Sequence, residues 1–105
     1  MAGASNSYHE PAEQLSHKTR DMHRALVSLQ EELEAVDWYR QRADACQDDE
    51  LRAILLHNMN EEIEHAAMVL EWLRRNDDGF NKELGAFLNS SGPIVEVEEE
   101  HMGRK

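Results

Sequence analysis

Glu62 and His65 stand three residues apart in a stretch whose apolar spacing is helical. Projecting residues 51–73 at about 100° per residue puts Leu51, Leu55, Glu62, Val69 and Leu73 within roughly 20° of one line, with Asn58, Ala66 and His65 beside it. A carboxylate in an apolar stripe must be protonated, paired or bound to a cation, because an unpaired buried charge is strongly unfavourable. Glu-x-x-His on an inward helix face is also half of a ligand set with which helical bundles hold a pair of metal ions.

The preceding helical stretch separates its own acids in the same way. With Leu29 as zero, Leu33, Val36, Leu26 and Met22 lie within about 60° and Glu32 falls at about −60°, on the edge of that seam. Glu31, Glu34 and Trp38 lie together on the opposite side, at about 140° to 200°, and Tyr39 falls near the side of Glu32. A di-iron bundle of the ferritin type needs a Glu from each of two helices and a Glu-x-x-His from each of two others. One chain supplies half of each, so a two-fold dimer would complete the set with two copies each of Glu32, Glu62 and His65. Carboxylate oxygens and imidazole suit iron(II), since hard oxygens also hold the oxidised ion and bridge two metals. The rival reading is a structural polar layer, with Glu62 paired to a partner-chain arginine and His65 donating to a carboxylate.

The other candidates carry less. His57 projects about 140° from Glu62, towards solvent or a rim. His9, His17, His23 and His101 are scattered or lie in end segments, and Met22, Met59 and Met68 are packing or surface residues, since no methionine cluster has ligand spacing. Cys46 is the only cysteine, which excludes an intrachain disulfide and a thiolate cluster within one chain.

The elements that must position these groups are few. At 105 residues the chain is one small domain. Two or three helices alone would leave wide apolar faces wet, so an obligate oligomer is expected. Against 22 Asp and Glu there are 11 Lys and Arg, a net charge of −11 that disfavours nucleic acid and anionic membranes and attracts cations. No run of about 20 apolar residues would span a bilayer, and no apolar signal core opens the chain, so the cytoplasm is the expected compartment.

Residues 1–8 read as a disordered arm. A helix is expected from Pro11, with Glu10 and Glu13 at its positive end, through residue 45. Residues 44–49 lose the apolar spacing and offer Asp48 or Asp49 as an N-cap. A second helix is expected over residues 50–75, ending on Arg74 and Arg75 and broken by Asn76-Asp77-Asp78-Gly79. Phe80, Leu84, Phe87 and Leu88 suggest a short third helix that packs across a neighbouring subunit, stopped near residues 90–93. Residues 94–105, with the acidic stretch 96–100, read as a tail. The expected fold is all-α: an antiparallel two-helix hairpin over residues 9–93 with a short third helix, dimerising into a four-helix bundle.

The runs Ser5-Asn6-Ser7, His9-Glu10-Pro11, Glu31-Glu32-Leu33-Glu34-Ala35-Val36-Asp37-Trp38-Tyr39, Glu61-Glu62 with Glu64-His65-Ala66-Ala67-Met68, and Leu70-Glu71-Trp72-Leu73-Arg74-Arg75-Asn76-Asp77 closely resemble the encapsulated ferritins. These are short ferritin-like proteins carried as cargo inside encapsulin nanocompartments, and the likeness covers residues 5–93. The resemblance implies a ferroxidase that oxidises iron(II) with dioxygen at a di-iron centre shared by two chains, in an annular decamer of five dimers inside an encapsulin shell that stores the mineral. It implies Glu32, Glu62 and His65 as iron ligands with Tyr39 near the centre. The outward Glu31, Glu34 and Trp38 match the family's metal-uptake site, where a second cation, calcium or another divalent ion, would bind. His101-Met102-Gly103-Arg104-Lys105 depart from the apolar targeting peptide with which family members finish, so the cargo role rests on the body of the chain. Against the ferroxidase stand a non-enzymatic helical assembly and a cation-buffering or zinc-binding protein.

Overall fold

A computed structural model describes residues 7–103. They form four α-helices and a 3-10 turn, with no strand among the described residues: α1 His17–Ala45, α2 Asp49–Asn76, α3 Asp78–Phe87 and α4 Ile94–His101. The chain divides into two compact units within α2, after Leu70.

The first unit holds α1 and most of α2. α1 does not start at Pro11 as its sequence suggests. Pro11 caps a single 3-10 turn, Ala12–Gln14, that Leu15 ends in extended conformation. Ser16 then caps α1, its hydroxyl accepting from the Thr19 amide at 3.1 Å. A hydroxyl that satisfies a free amide fixes a helix start better than a proline that only tolerates one. Of the expected N-terminal arm, residues 1–6 lie outside the described residues, while Tyr8 packs on α1 with its ring centroid 4.7 Å from that of His23.

At the other end of α1, Cys46 is the extended C-cap, and Asp48 accepts from the Leu51 amide at 2.8 Å to start α2. Arg52 reaches back from α2 and donates through Nε to the carbonyls of Ala43 at 3.2 Å and Cys46 at 3.1 Å. The Ala43 carbonyl also accepts from the Cys46 amide at 3.3 Å, so Arg52 adds a second donor there and supplies one to the Cys46 carbonyl at the helix end. Late α1 meeting early α2 there, and mid-α1 Glu32 meeting mid-α2 His65, define an antiparallel hairpin.

Its interior is thin. Among the described residues of this unit, Ala43, Met59 and Ala66 are the buried apolar ones, whereas Leu33 is 52 % exposed, Leu51 48 % and Ile54 51 %. Leu33 and Leu51 belong to the apolar seams that the sequence marks as inward. Full burial of each such side chain is worth about 1.5–3 kcal/mol, so these seams are stabilising only when something covers them.

In the second unit Leu73 is fully buried, Glu71 pairs with Arg74 at 2.8 Å and Arg75 at 2.6 Å, and Asp77 caps α3 by accepting from the Phe80 amide at 2.9 Å. Residues 94–101 are helical, which corrects the expectation of a tail over 94–105. Pro93 presets the first turn, Glu96 and His101 complement the helix dipole, and α4 packs on α3 through the Phe87 and His101 rings and a 3.0 Å contact of His101 with Glu83. The glutamate run hides the helical spacing of Ile94, Val97 and His101. Residues 104 and 105 lie outside the described residues.

Candidate metal centre

Midway along the hairpin, Glu32 of α1 and Glu62 and His65 of α2 converge, each offering a ligand atom within 4.8 Å of the others. His65 Nδ1 lies 3.4 Å from a Glu32 oxygen and 3.3 Å from a Glu62 oxygen. The last contact follows from helical spacing, since residues three apart share a face. The Glu32 contact needs the second helix.

The electrostatics favour a cation. The Glu62 carboxyl is pushed above its ordinary range, first by burial and then by its hydrogen bond with, and the charge of, Glu32; His65 offsets part of this. Oε2 of Glu32, the oxygen that faces His65 Nδ1 at 3.4 Å, is buried and receives no well-formed hydrogen bond among the described residues. Two acids held together with an unsatisfied buried oxygen are a donor set that a hard divalent cation would satisfy. Each carboxylate side chain is 24 % exposed and His65 is 47 % exposed, so the cluster is open on the histidine side. His65 therefore presents part of its ring to whatever covers the hairpin.

The other candidate residues stand apart from this cluster. Tyr39 is half-buried and lies two turns from Glu32, roughly 10 Å by the rise of a helix. Glu31 is exposed, Glu34 half-buried and Trp38 41 % exposed, and the two acids join no three-residue group of metal-ligand type among the described residues. His57 is exposed. Arg42, which sequence patterning passes over, places its guanidinium 6.0 Å from the Trp38 ring and 5.5 Å from that of Tyr39. The signal that could find it is its spacing, four residues after Trp38 and three after Tyr39.

Residues 7–91 match the family described as EncFtn-like. The chain is 59 % identical over 98 residues to the encapsulated ferritin-like protein of Rhodospirillum rubrum, an overlap of 93 % of this chain and 70 % of that one. It is 53 % identical over 98 residues to a ferritin-like protein of Thermotoga maritima, covering 93 % of this chain and 86 % of the relative. A crystal structure of a Nitrosomonas europaea protein superposes with a TM-score of 0.81 at 61 % identity, over 85 % of this chain and 98 % of the other. A hairpin of two long helices with a short helix after it, matched at these identities over nearly its whole length, belongs to the EncFtn-like family of encapsulated ferritin-like proteins.

Proposed function

We propose that this protein is a ferroxidase whose site is completed by a second copy of the chain. Its substrates are iron(II) and dioxygen. The observation that carries the reading is the convergence of Glu32, Glu62 and His65 from two helices, with the imidazole half-exposed on the open side. A two-fold partner placed over that side would bring a second identical triad, and the resulting four carboxylates and two imidazoles make the ligand set of a carboxylate-rich di-iron site. Held there, iron(II) gives up an electron to dioxygen, which is the chemistry the substrate pair supplies. The chain's own residues bind and orient: Glu32 and Glu62 neutralise the cations, and His65 fixes their position. Tyr39, two turns along α1 from Glu32, lines the approach to the centre and does not bind its metal, and Glu31, Glu34 and Trp38 form an outer uptake face that takes iron(II), calcium or another divalent cation.

The oligomer that suits this reading is a dimer, closed by repetition into a ring of ten chains. Exposed Leu33, Leu51 and Ile54, on a hairpin that buries only Ala43, Met59 and Ala66 among its described apolar residues, support association. The name of the Rhodospirillum rubrum relative supports residence inside an encapsulin shell, which would store the oxidised mineral that an open ring cannot enclose. No helix among the described residues is long and apolar enough to cross a membrane. The charge of −11 disfavours nucleic acid as a partner.

One observation favours a rival: His65 already contacts both carboxylates, so a protonated imidazole could tie them into a structural polar layer without metal. Anaerobic addition of iron(II) followed by air separates the two. The ferroxidase consumes oxygen in proportion to iron and gives a ferric absorbance. The polar layer leaves the uncatalysed rate unchanged, and a cation buffer binds iron(II) without turnover.

A further inference from the structure

The Arg42 guanidinium lies over two aromatic rings, 6.0 Å from the centroid of Trp38 and 5.5 Å from that of Tyr39. One side chain reaches both because the separations i+4 and i+3 share a helix face. On the α1 projection Trp38 falls at about 180° and Tyr39 at about −80°, with Arg42 between them at about −140°. Both rings stand at or within the range of about 6 Å over which a ring face attracts a cation. In a chain with 22 acidic and 11 basic residues, an exposed arginine has many carboxylates to choose from. None among the described residues lies in ion-pair range of Arg42, whose guanidinium rests on rings instead.

The two rings belong to different faces. Trp38 lies with Glu31 and Glu34 on the outward side of α1, and Tyr39 lies towards the side of Glu32. Resting on the ferroxidase reading above, we infer that Arg42 is a positioning residue that yokes the Trp38 indole to Tyr39. It holds the indole beside Glu31 and Glu34, and so sets the iron(II) concentration at which hydrated cations pass that face. It touches neither iron nor dioxygen. Losing the yoke frees the indole to swing across the acids and weakens uptake, while the metal ligands remain intact.

Trp72→Phe leaves Trp38 as the only tryptophan, so emission and its quenching by acrylamide report on that indole alone. In that background Arg42→Lys keeps the charge and loses the flat guanidinium, Arg42→Gln keeps a flat group and loses the charge, and Tyr39→Leu removes the second ring. Both Arg42 variants raise quenching at unchanged helicity. Tyr39→Leu raises it when Arg42 is present and adds nothing to Arg42→Gln, because the link is already cut; a purely structural arginine would not produce that dependence. With the full chain, Arg42→Lys raises the iron(II) concentration for half-maximal oxygen uptake about two- to fivefold and keeps the rate at saturating iron, the loss expected for an exposed cation–ring contact. Unchanged quenching in both Arg42 variants, or a Tyr39→Leu effect that persists undiminished in Arg42→Gln, overturns the yoke. Altered quenching with an unshifted iron dependence overturns its part in uptake. A parent protein that consumes no oxygen overturns the ferroxidase reading and the uptake role with it, and the fluorescence still decides whether Arg42 links the two rings.

Discussion

His65 Nδ1 lies 3.4 Å from a carboxylate oxygen of Glu32, joining the middle of α2 to the middle of α1. The contact makes one geometry serve two chemistries. With the imidazole protonated it is an ion pair, and with the proton gone the same nitrogen and oxygen are free to share a cation. Metal and proton therefore compete for this site.

Glu32→Ala, Glu62→Ala and His65→Ala should each lower the rate of iron oxidation by at least about tenfold, since in a two-fold dimer each removes two ligands at once. Helicity should persist, because every other element of the hairpin is untouched. Oxygen uptake at fixed iron, read beside circular dichroism, checks this. Three variants oxidising iron at the parent rate would show that the centre lies elsewhere.

The raised carboxyl of Glu62 gives the metal-free protein a signed pH dependence. A group whose folded value lies above its unfolded one stabilises the fold at pH below 4.5 and loses that contribution as pH rises through its raised value. Metal-free parent protein should thus lose stability relative to Glu62→Gln as pH is raised from that point. At neutral pH the variant should be the more stable by up to about 1 kcal/mol, a modest figure because the side chain is partly solvated. Thermal midpoints across pH in the presence of a chelator supply the measurement, and parallel curves for the two proteins would contradict it.

Glu71 behaves oppositely. Hydrogen bonds from Arg74 and Arg75 hold its carboxyl down from 4.5 to about 2. A depressed value stabilises the folded form above the unfolded value and loses that stabilisation as pH falls through about 2. Amide exchange in the last turns of α2 should therefore quicken as pH is lowered through that window, relative to Glu71→Gln after correction for intrinsic rates. The variant should exchange faster at neutral pH and show no such relative change. The pairs are exposed and within one helix, so the effect should weaken in high salt.

Much of this site is legible in the sequence because helical periodicity fixes faces: Glu32, Glu62 and His65 project inward on a wheel, and a short turn makes their helices antiparallel. The long side chains are not legible. Arg52 could point to solvent by spacing alone, yet it satisfies the carbonyls of Ala43 and Cys46. Arg42 could pair with a neighbouring acid, yet it rests on two rings. Rotamers decide such contacts, and the one-dimensional pattern does not carry them. Leu33 shows a different limit: its spacing marks it as inward, but the hairpin leaves it 52 % exposed. Composition hides α4, since four glutamates outweigh the helical spacing of Ile94, Val97 and His101.

Covering those leucines should be inseparable from completing the site. Leu51→Glu with Ile54→Glu places two charges where an apolar partner surface would sit, and native mass spectrometry should then show monomers in place of assemblies. Iron oxidation should fall in step although no ligand has changed. A variant that assembles as the parent does would mean that this side of α2 faces no partner.

The outer acids should separate from the inner ones in kind. Glu31 is exposed and Glu34 half-buried, one turn apart on α1 and outside the Glu32–Glu62–His65 group. Where water screens a carboxylate pair, it holds a cation weakly and acts on the local concentration of ions more than on their chemistry. Glu31→Ala with Glu34→Ala should therefore raise the iron(II) concentration needed for half-maximal oxidation, and more so at low ionic strength, while metal bound per chain at saturation stays that of the parent. Trp38→Ala sharpens the division. Changed kinetics in an intact assembly would assign the indole to uptake, and dissociation would make it a packing residue. Loss of bound metal at saturation in the double acid variant would show that inner and outer carboxylates form one site.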